Sequence, residues 1–189
     1  MVWEVLLPAL SKVQLRQVGM TPPTMVLSLA EGVLAQAVLL VQCSFSRRIV
    51  GWRAAPRMTT DLVLDALEQA LWSRKQQGIT SFTGLVHHTD AGSQYVSFAL
   101  TQRLVEAGVD PSVGSNHDPY DNALAESTIG LFKAELIRPE GPWRNVEHVE
   151  LETLRWVDFY NTLRPHEALD DLTPMQAEDL HYHRLKLTA

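Results

Sequence analysis

The sequence predicts an α/β layered domain, in which short strands alternate with amphipathic helices. The run Arg48–Ala55 is rich in strand-forming residues and stops at Pro56. The residues that follow, 62–71, repeat their apolar side chains with the period of a helix. A second strand is predicted at 85–89, and Asp90 comes directly after it. Because sheets of this class hold ligands at the carboxyl ends of strands, Asp90 is a candidate functional residue.

The remaining elements have recognisable boundaries. Thr60 is the predicted N-cap of the first helix, which ends near Gly78. The apolar run Val33–Val41 is sufficient for an edge or central strand. Further elements are predicted at 97–107 (helix, stopped by Gly108), 109–113 (strand), 121–136 (helix, broken by Pro139, Gly141 and Pro142) and 146–163 (helix).

Length and composition are those of an ordinary globular protein. With 189 residues and 46% hydrophobic content, the chain can form one well-packed domain. Its single cysteine, Cys43, excludes an internal disulfide and favours a reducing cytoplasm. Its net charge of −6 lowers the expected affinity for non-specific DNA. That charge is uneven, since residues 1–60 contain six basic side chains but only Glu4 and Glu31 as acids.

The spacing of three charged residues points to a particular chemistry. Asp90 and Glu126 are separated by 35 residues, and Lys133 follows Glu126 by seven. Two carboxylates brought together from different elements form a hard oxygen site for Mg²⁺ or Mn²⁺. Lys133 is two helical turns beyond Glu126, on the same face, where it can hold a phosphate. This combination indicates phosphodiester chemistry.

Each of these residues also has a simpler interpretation. Asp90 can cap a turn after its strand, and Glu126 can lie on a solvated helix face. A different function is also open, namely that of an unrelated hydrolase that uses Asp90 and Glu126 as an acid–base pair. His88 shares a strand face with Asp90 whereas His87 does not, which disfavours a histidine-based metal site. Asn122, one turn before Glu126, begins a helix entry that would fix the direction of Glu126.

Several motifs together resemble one protein family. They are SRRIVGW, MTTDLVLDALEQAL, GLVHHTDAGSQYVS, YDNALAES and FYNTLRPHEALDDLTP. They are similar to the insertion-sequence transposases whose catalytic domain is a retroviral-integrase-like core, with an Asp-Asp-Glu triad. The resemblance covers roughly Phe45 to Met175. It implies an RNase H-like fold with a mixed five-stranded sheet flanked by helices.

The resemblance also implies roles for individual residues. Asp90 would be the second acid of the triad and Glu126 the third, together binding Mg²⁺ or Mn²⁺ in a two-metal site. Lys133 would contact the transposon end, and Asn122 would support the helix of Glu126. His88 and Gln94 would at most contact the metal ligands without binding the metal themselves. Arg164 and His166 would be structural or face DNA. The implied partners are transposon-end and target DNA, together with further copies of the same chain in a homo-oligomer.

The chain departs from the family at its first acid. That acid is expected near Met25, but no Asp precedes Asp61, and Cys43 stands where relatives usually carry Asp. The change near Ser44 suggests an upstream frameshift, and Glu31 is the only acid close to the vacant position. We therefore divide the chain into a divergent segment (1–43), the integrase core (44–175) and a C-terminal tail (176–189).

Two expectations follow from this division. Residues 1–30 should be poorly ordered or loosely attached, whereas burial of Trp3, Leu6, Leu7 and Leu10 in a dense core would contradict the frameshift. The expected function is that of a transposase catalytic domain that is inactive because its first Asp is missing. The alternative is a non-catalytic remnant that binds nucleic acid or mediates oligomerisation.

Overall fold

A computed structural model describes residues 2–6, 25–33, 36–43, 45–57, 59–79, 81–82, 86–89, 98–112 and 119–188. Its strands are β1 (Val2–Leu6), β2 (Met25–Val33), β3 (Gln36–Cys43), β4 (Ile49–Ala55), β5 (Val86–Thr89) and β6 (Asp110–Ser112). They form one sheet in the order β4-β3-β2-β1-β5-β6. Only β5 and β6 pair in parallel among these described strands, so the sheet is mixed, as predicted.

The sheet has six strands rather than the five expected. The additional strand is β1, which pairs antiparallel with β2 on one side and with β5 on the other. Consequently β2 and β5 run in the same direction without touching. The prediction that residues 1–30 are loosely attached is wrong for β1 and β2, because an apolar extended run is sufficient for backbone pairing. Leu7 and Leu10 lie outside the described residues, as do the side chains of Trp3 and Leu6.

The first four helices agree closely with the predicted positions, whereas a fifth forms where only a C-terminal tail (176–189) was predicted. The helices are α1 (Thr60–Gln76), α2 (Phe98–Glu106), α3 (Pro119–Phe132), α4 (Val146–Thr162) and α5 (Pro174–Thr188). The N-cap of α1 is Thr59 rather than Thr60, and its side chain accepts a hydrogen bond from the Leu62 backbone N–H. Beyond α3 the chain continues through a π-helical segment (Lys133–Ile137) and a last turn (Arg138–Glu140).

Helices cover both faces of the sheet around the buried strand β3. Ala37, Leu39 and Val41 belong to the core beneath α1 and α2. Val38 and Leu40 belong to the opposite core, beneath α4 and the C-terminal part of α3. This alternation is what a strand buried on both faces requires, and it explains the nearly continuous apolar sequence of β3.

The sheet and α1 approach each other most closely at Gly51. A Cβ atom added at this position would lie 2.3 Å from the Ala66 carbonyl oxygen and 2.9 Å from the Ala70 Cβ. Small residues on both elements therefore allow β4 and α1 to pack against each other.

The C-terminal residues form a docked helix. Within α5, Glu178 is buried and accepts hydrogen bonds from Arg48 Nη1 at 2.7 Å and Ser46 Oγ at 3.1 Å. It also forms an ion pair with Arg74 of α1, at 2.7 Å. These contacts fix α5 to the end of the β3–β4 hairpin and to α1. No helix in the described part of the chain is long and apolar enough to cross a membrane.

Candidate active site

The structure describes one of the two predicted carboxylates. Glu126 lies on α3, where its side chain is exposed. Asp90 directly follows the last residue of β5 but lies outside the described residues, as does Gln94. The expected separation of about 4–8 Å between the two carboxylates, which a shared metal ion would require, therefore stays a prediction.

Lys133 and Glu126 belong to one continuous helical segment. Asn122 and Glu126 lie within α3, and Lys133 is the first residue of the π-helical segment that follows. Seven residues at 3.6 per turn return a helix to within about 20° of its starting direction. Because α3 is regular up to Phe132, the side chain of Lys133 extends from nearly the same side of the helix as that of Glu126. Its side chain is half-buried.

A buried hydrogen-bond network fixes the orientation of α3. Thr128, two residues after Glu126, donates its hydroxyl to Gln42 Oε1 of β3 at 2.9 Å. The Gln42 Nε2 group donates to Tyr160 Oη at 2.8 Å and to the Arg47 carbonyl at 2.6 Å. Gln42, Thr128 and Tyr160 are each at most 1% exposed. The network therefore joins β3, α3 and α4, and it determines which side of α3 presents Glu126.

Replacing Thr128 with Val tests this network. The change keeps the side-chain shape but leaves the Gln42 carbonyl oxygen buried without its donor, which costs about 1–3 kcal/mol. We expect the free energy of unfolding in urea to fall by that amount. Thr128→Ser, which keeps the hydroxyl, is the matched control and should lose less. An unchanged free energy of unfolding in Thr128→Val would contradict the role of the hydrogen bond, whereas equal losses in the two variants would show that the methyl group contributes as much as the hydroxyl.

Arg164 and His166 of the FYNTLRPH motif lie beside this network. Arg164 donates from Nε to Glu135 Oε1 at 2.9 Å, and Trp156 Nε1 donates to the other oxygen of Glu135 at 3.0 Å. His166 is buried and its ring contacts that of Tyr160, with centroids 4.6 Å apart. Burial and the nearby Arg164 guanidinium lower the pKa of His166. Both residues thus make contacts within the fold, which agrees with the first of the two roles implied for them, structural or DNA-facing.

The expected position of the first acid is the start of β2. Met25 is the first residue of that strand, and α3 packs against β1 and β2. Glu31 lies on the same strand, six residues farther along. In the described part of the chain, no three His, Cys, Asp or Glu side chains come together as a metal site would require. The donor chemistry of Asp90 and Glu126 nevertheless suits a hard divalent cation.

Comparison with known families decides the identity of the fold. Two models, each described as an integrase core domain, match residues 27–119 and 107–174. The chain belongs to the integrase-core transposases. The motif resemblance began at Phe45, but the match begins farther upstream, and it includes β3 and the part of β2 from Leu27 onward.

Transposases of insertion sequences are similar to this integrase core. It is 50% identical over 145 residues to the protein named as transposase of IS986/IS6110 in Mycobacterium tuberculosis, covering 77% of this chain and 52% of the relative. It is 53% identical over 138 residues to the IS629 transposase of Shigella sonnei, covering 73% and 44%. The chain therefore spans about half the length of the curated relatives it matches.

Solved retroviral integrase cores share the fold. The catalytic core of HTLV-2 integrase in complex with magnesium, in its trimeric form, aligns with a TM-score of 0.54 and 14% identity, covering 84% of this chain and 98% of that one. The catalytic core of BIV integrase aligns with a TM-score of 0.55 and 15% identity, covering 84% and 95%. The RNase H-like fold implied by the sequence motifs is confirmed.

The sequence did not reveal the Gln42 network. Thr128 and Tyr160 are 86 and 118 residues away from Gln42, so no local pattern links them. One signal was present: Gln42 is a polar residue directly after the apolar run of β3. A polar side chain that is fully buried in such a strand needs hydrogen-bond partners from other elements.

Proposed function

We propose that this chain is the catalytic domain of an insertion-sequence transposase, with DNA as its partner, that neither cuts nor joins DNA above background because its first acid is missing. The observations that support this proposal are the integrase-core match over residues 27–174 and the presence of Met25 at the start of β2, near which the motif resemblance leads us to expect the first acid. In this proposal Asp90 and Glu126 are the two remaining acids. Lys133 contacts the transposon end, and Asn122 supports the helix of Glu126.

The two remaining acids give the site its proposed metal preference. Asp90 and Glu126 would hold Mg²⁺ or Mn²⁺ through carboxylate oxygens. A metal ion in such a site polarises the phosphodiester and generates a nucleophile from water. Two ions at about 3.5–4 Å carry four positive charges, against only two negative charges from these residues. The site is therefore incomplete, and we expect weak binding of one ion.

Glu31 is a poor replacement for the missing acid. It lies six residues beyond Met25 on the same strand, and at ~3.3 Å per residue that is roughly 20 Å along β2. Because the strand is extended, its path does not return Glu31 to the first position. The alternative is that the chain is a non-catalytic remnant that binds nucleic acid or mediates oligomerisation.

Metal binding tests the assignment of the two acids. We expect Mn²⁺ to bind the chain weakly, and both Asp90→Asn and Glu126→Gln to reduce its affinity at least tenfold, because each change removes a charged ligand (about 1.4 kcal/mol per tenfold). The measurement is a Mn²⁺ titration followed by water-proton relaxation. Glu140→Gln, which changes an exposed acid elsewhere on the same helical segment, is the control. Unchanged affinity in Asp90→Asn and Glu126→Gln would contradict the proposed site.

A further inference from the structure

The turn between β3 and β4 holds Arg47 in a conformation that side chains rarely adopt. Its φ angle is 58°, in the left-handed region. The turn is closed by a hydrogen bond from the Cys43 N–H to the Arg48 carbonyl at 2.8 Å. The buried Gln42 side chain binds the Arg47 carbonyl at 2.6 Å. The strained conformation is thus imposed by a network that also fixes α3 and α4, which makes Arg47 a candidate functional residue.

The two adjacent arginines of this turn have different environments. Arg48 is paired with Glu178, at 2.7 Å. Arg47 is half-buried, and its guanidinium has no hydrogen bond or ion pair with the residues that the structure describes. The charge of Arg48 is therefore compensated within the fold, whereas the charge of Arg47 is available to an external ligand.

Arg164 lies near the same turn, because Gln42 Nε2 joins the Arg47 carbonyl to Tyr160 Oη and the Tyr160 ring contacts His166, two residues beyond Arg164. Arg164 and Arg47 both act electrostatically on the Tyr160–His166 ring pair, and both lower the pKa of His166, after the larger effect of burial. Glu135 is the carboxylate paired with Arg164, and it is shared with the Trp156 N–H. Glu135 compensates the charge of Arg164, whereas Arg47 has no paired acid among the described residues. The His166 Nε2 atom is also buried without a partner in the described part of the chain.

We propose that Arg47 and Arg164 form a binding site for a phosphate of the DNA backbone. The proposal rests on the proposed function, which supplies DNA as the partner. It is supported by the run 44–57, which contains four arginines and no acid. Arginine guanidinium groups suit phosphate because they donate hydrogen bonds in a planar fork. Thr128 of α3 is bonded to Gln42, and Glu135 of the π-helical segment is bonded to Arg164, whereas Glu126 is exposed. This site is therefore separate from the side of Glu126 and Lys133.

Salt-dependent binding of the full chain to a duplex of about 30 base pairs tests the site. Each phosphate contact releases counterions, so losing one contact changes the association constant by roughly the 0.9 power of the salt concentration. Arg47→Asn should therefore weaken binding about eightfold at 0.1 M KCl and reduce the slope of log K against log[KCl] by about 0.9. The loss should be the same for unrelated sequences, because phosphate contacts are sequence-independent. Arg47→Lys should retain most of the slope.

Two controls separate the loss of a phosphate contact from a loss of folding stability and from a change in net charge. Asn tolerates the left-handed conformation well, so Arg47→Asn should not lower Tm; a lower Tm with unchanged DNA affinity would make Arg47 structural and overturn the site. Arg57→Asn removes the same charge from an exposed position in the same run. An equal loss of affinity in Arg57→Asn would show that the effect depends only on net charge, and it would also overturn the proposed site at Arg47.

The same assay distinguishes failure of this site from failure of the proposed function. Lys133→Gln should also weaken binding, because Lys133 is the proposed contact to the transposon end. If Lys133→Gln weakens binding and Arg47→Asn does not, the Arg47 site is wrong and the proposed function stands. If the unaltered chain shows no salt-dependent binding to duplex DNA, both are wrong.

Discussion

Restoring an in-frame first strand to this chain should raise its strand-transfer activity at least about a thousandfold. A metal ion supplies several kcal/mol of transition-state stabilisation, and each 1.36 kcal/mol changes a rate tenfold. The chain has Met25 where the first carboxylate is expected, so in the proposed site a pair of metal ions would lack its bridging ligand. Its activity should accordingly be at background, and the additional acid should allow both ions to bind.

The measurement is a strand-transfer assay with Mn²⁺ and matched transposon ends, in which β2 is replaced by an in-frame first strand that carries the acid. Met25→Asp in the otherwise unchanged chain is a second variant. Adding Glu126→Gln to the restored chain should return activity to background, because the gain depends on this site. Equal activity of the unaltered and restored chains would show that the missing Asp is unimportant.

Replacing Glu178 with Leu should destabilise the protein by about 3–5 kcal/mol, the usual effect of removing one partner from a buried ion pair. The side chains of Glu178 and Arg74 are 3% and 2% exposed. Arg74 has two buried nitrogens, Nε and Nη2, without partners among the described residues. Burial raises the pKa of the neighbouring Cys43 thiol, which therefore stays neutral. Glu178 is thus the negative charge that compensates Arg74.

Urea denaturation of single and double variants would measure this effect. Arg74→Met combined with Glu178→Leu should recover most of the lost stability, because an apolar pair of similar volume replaces the buried ion pair. Arg48, the other partner of Glu178, is 21% exposed and can turn toward water. Asp179→Leu, at an exposed position next to Glu178, is the control. A loss below about 1 kcal/mol in Glu178→Leu would mean that the pair contributes no more than a surface ion pair.

Local patterns predicted the elements from β4 to α4 well, because their signals lie within a few residues. Turn formers, N-caps and helical periodicity set the boundaries of α1, α2 and α4 to within about two residues. The π-helical segment at Lys133 was not predictable, since it depends on how the end of α3 packs against β4 and α4. The sequence predicted only a tail where α5 lies, because the apolar pattern of this helix is weak and its docking depends on Glu178.

The sequence by itself determined the family, the α/β class and the spacing of Asp90, Glu126 and Lys133, because each of these is a local motif or a count along the chain. Only the tertiary structure decided that β1 lies between β2 and β5, since apolar extended runs can pair with several strands. It alone also revealed the networks around Gln42 and Glu178. A buried polar side chain needs partners, but these come from elements about a hundred residues away, so they are found by packing and not by pattern.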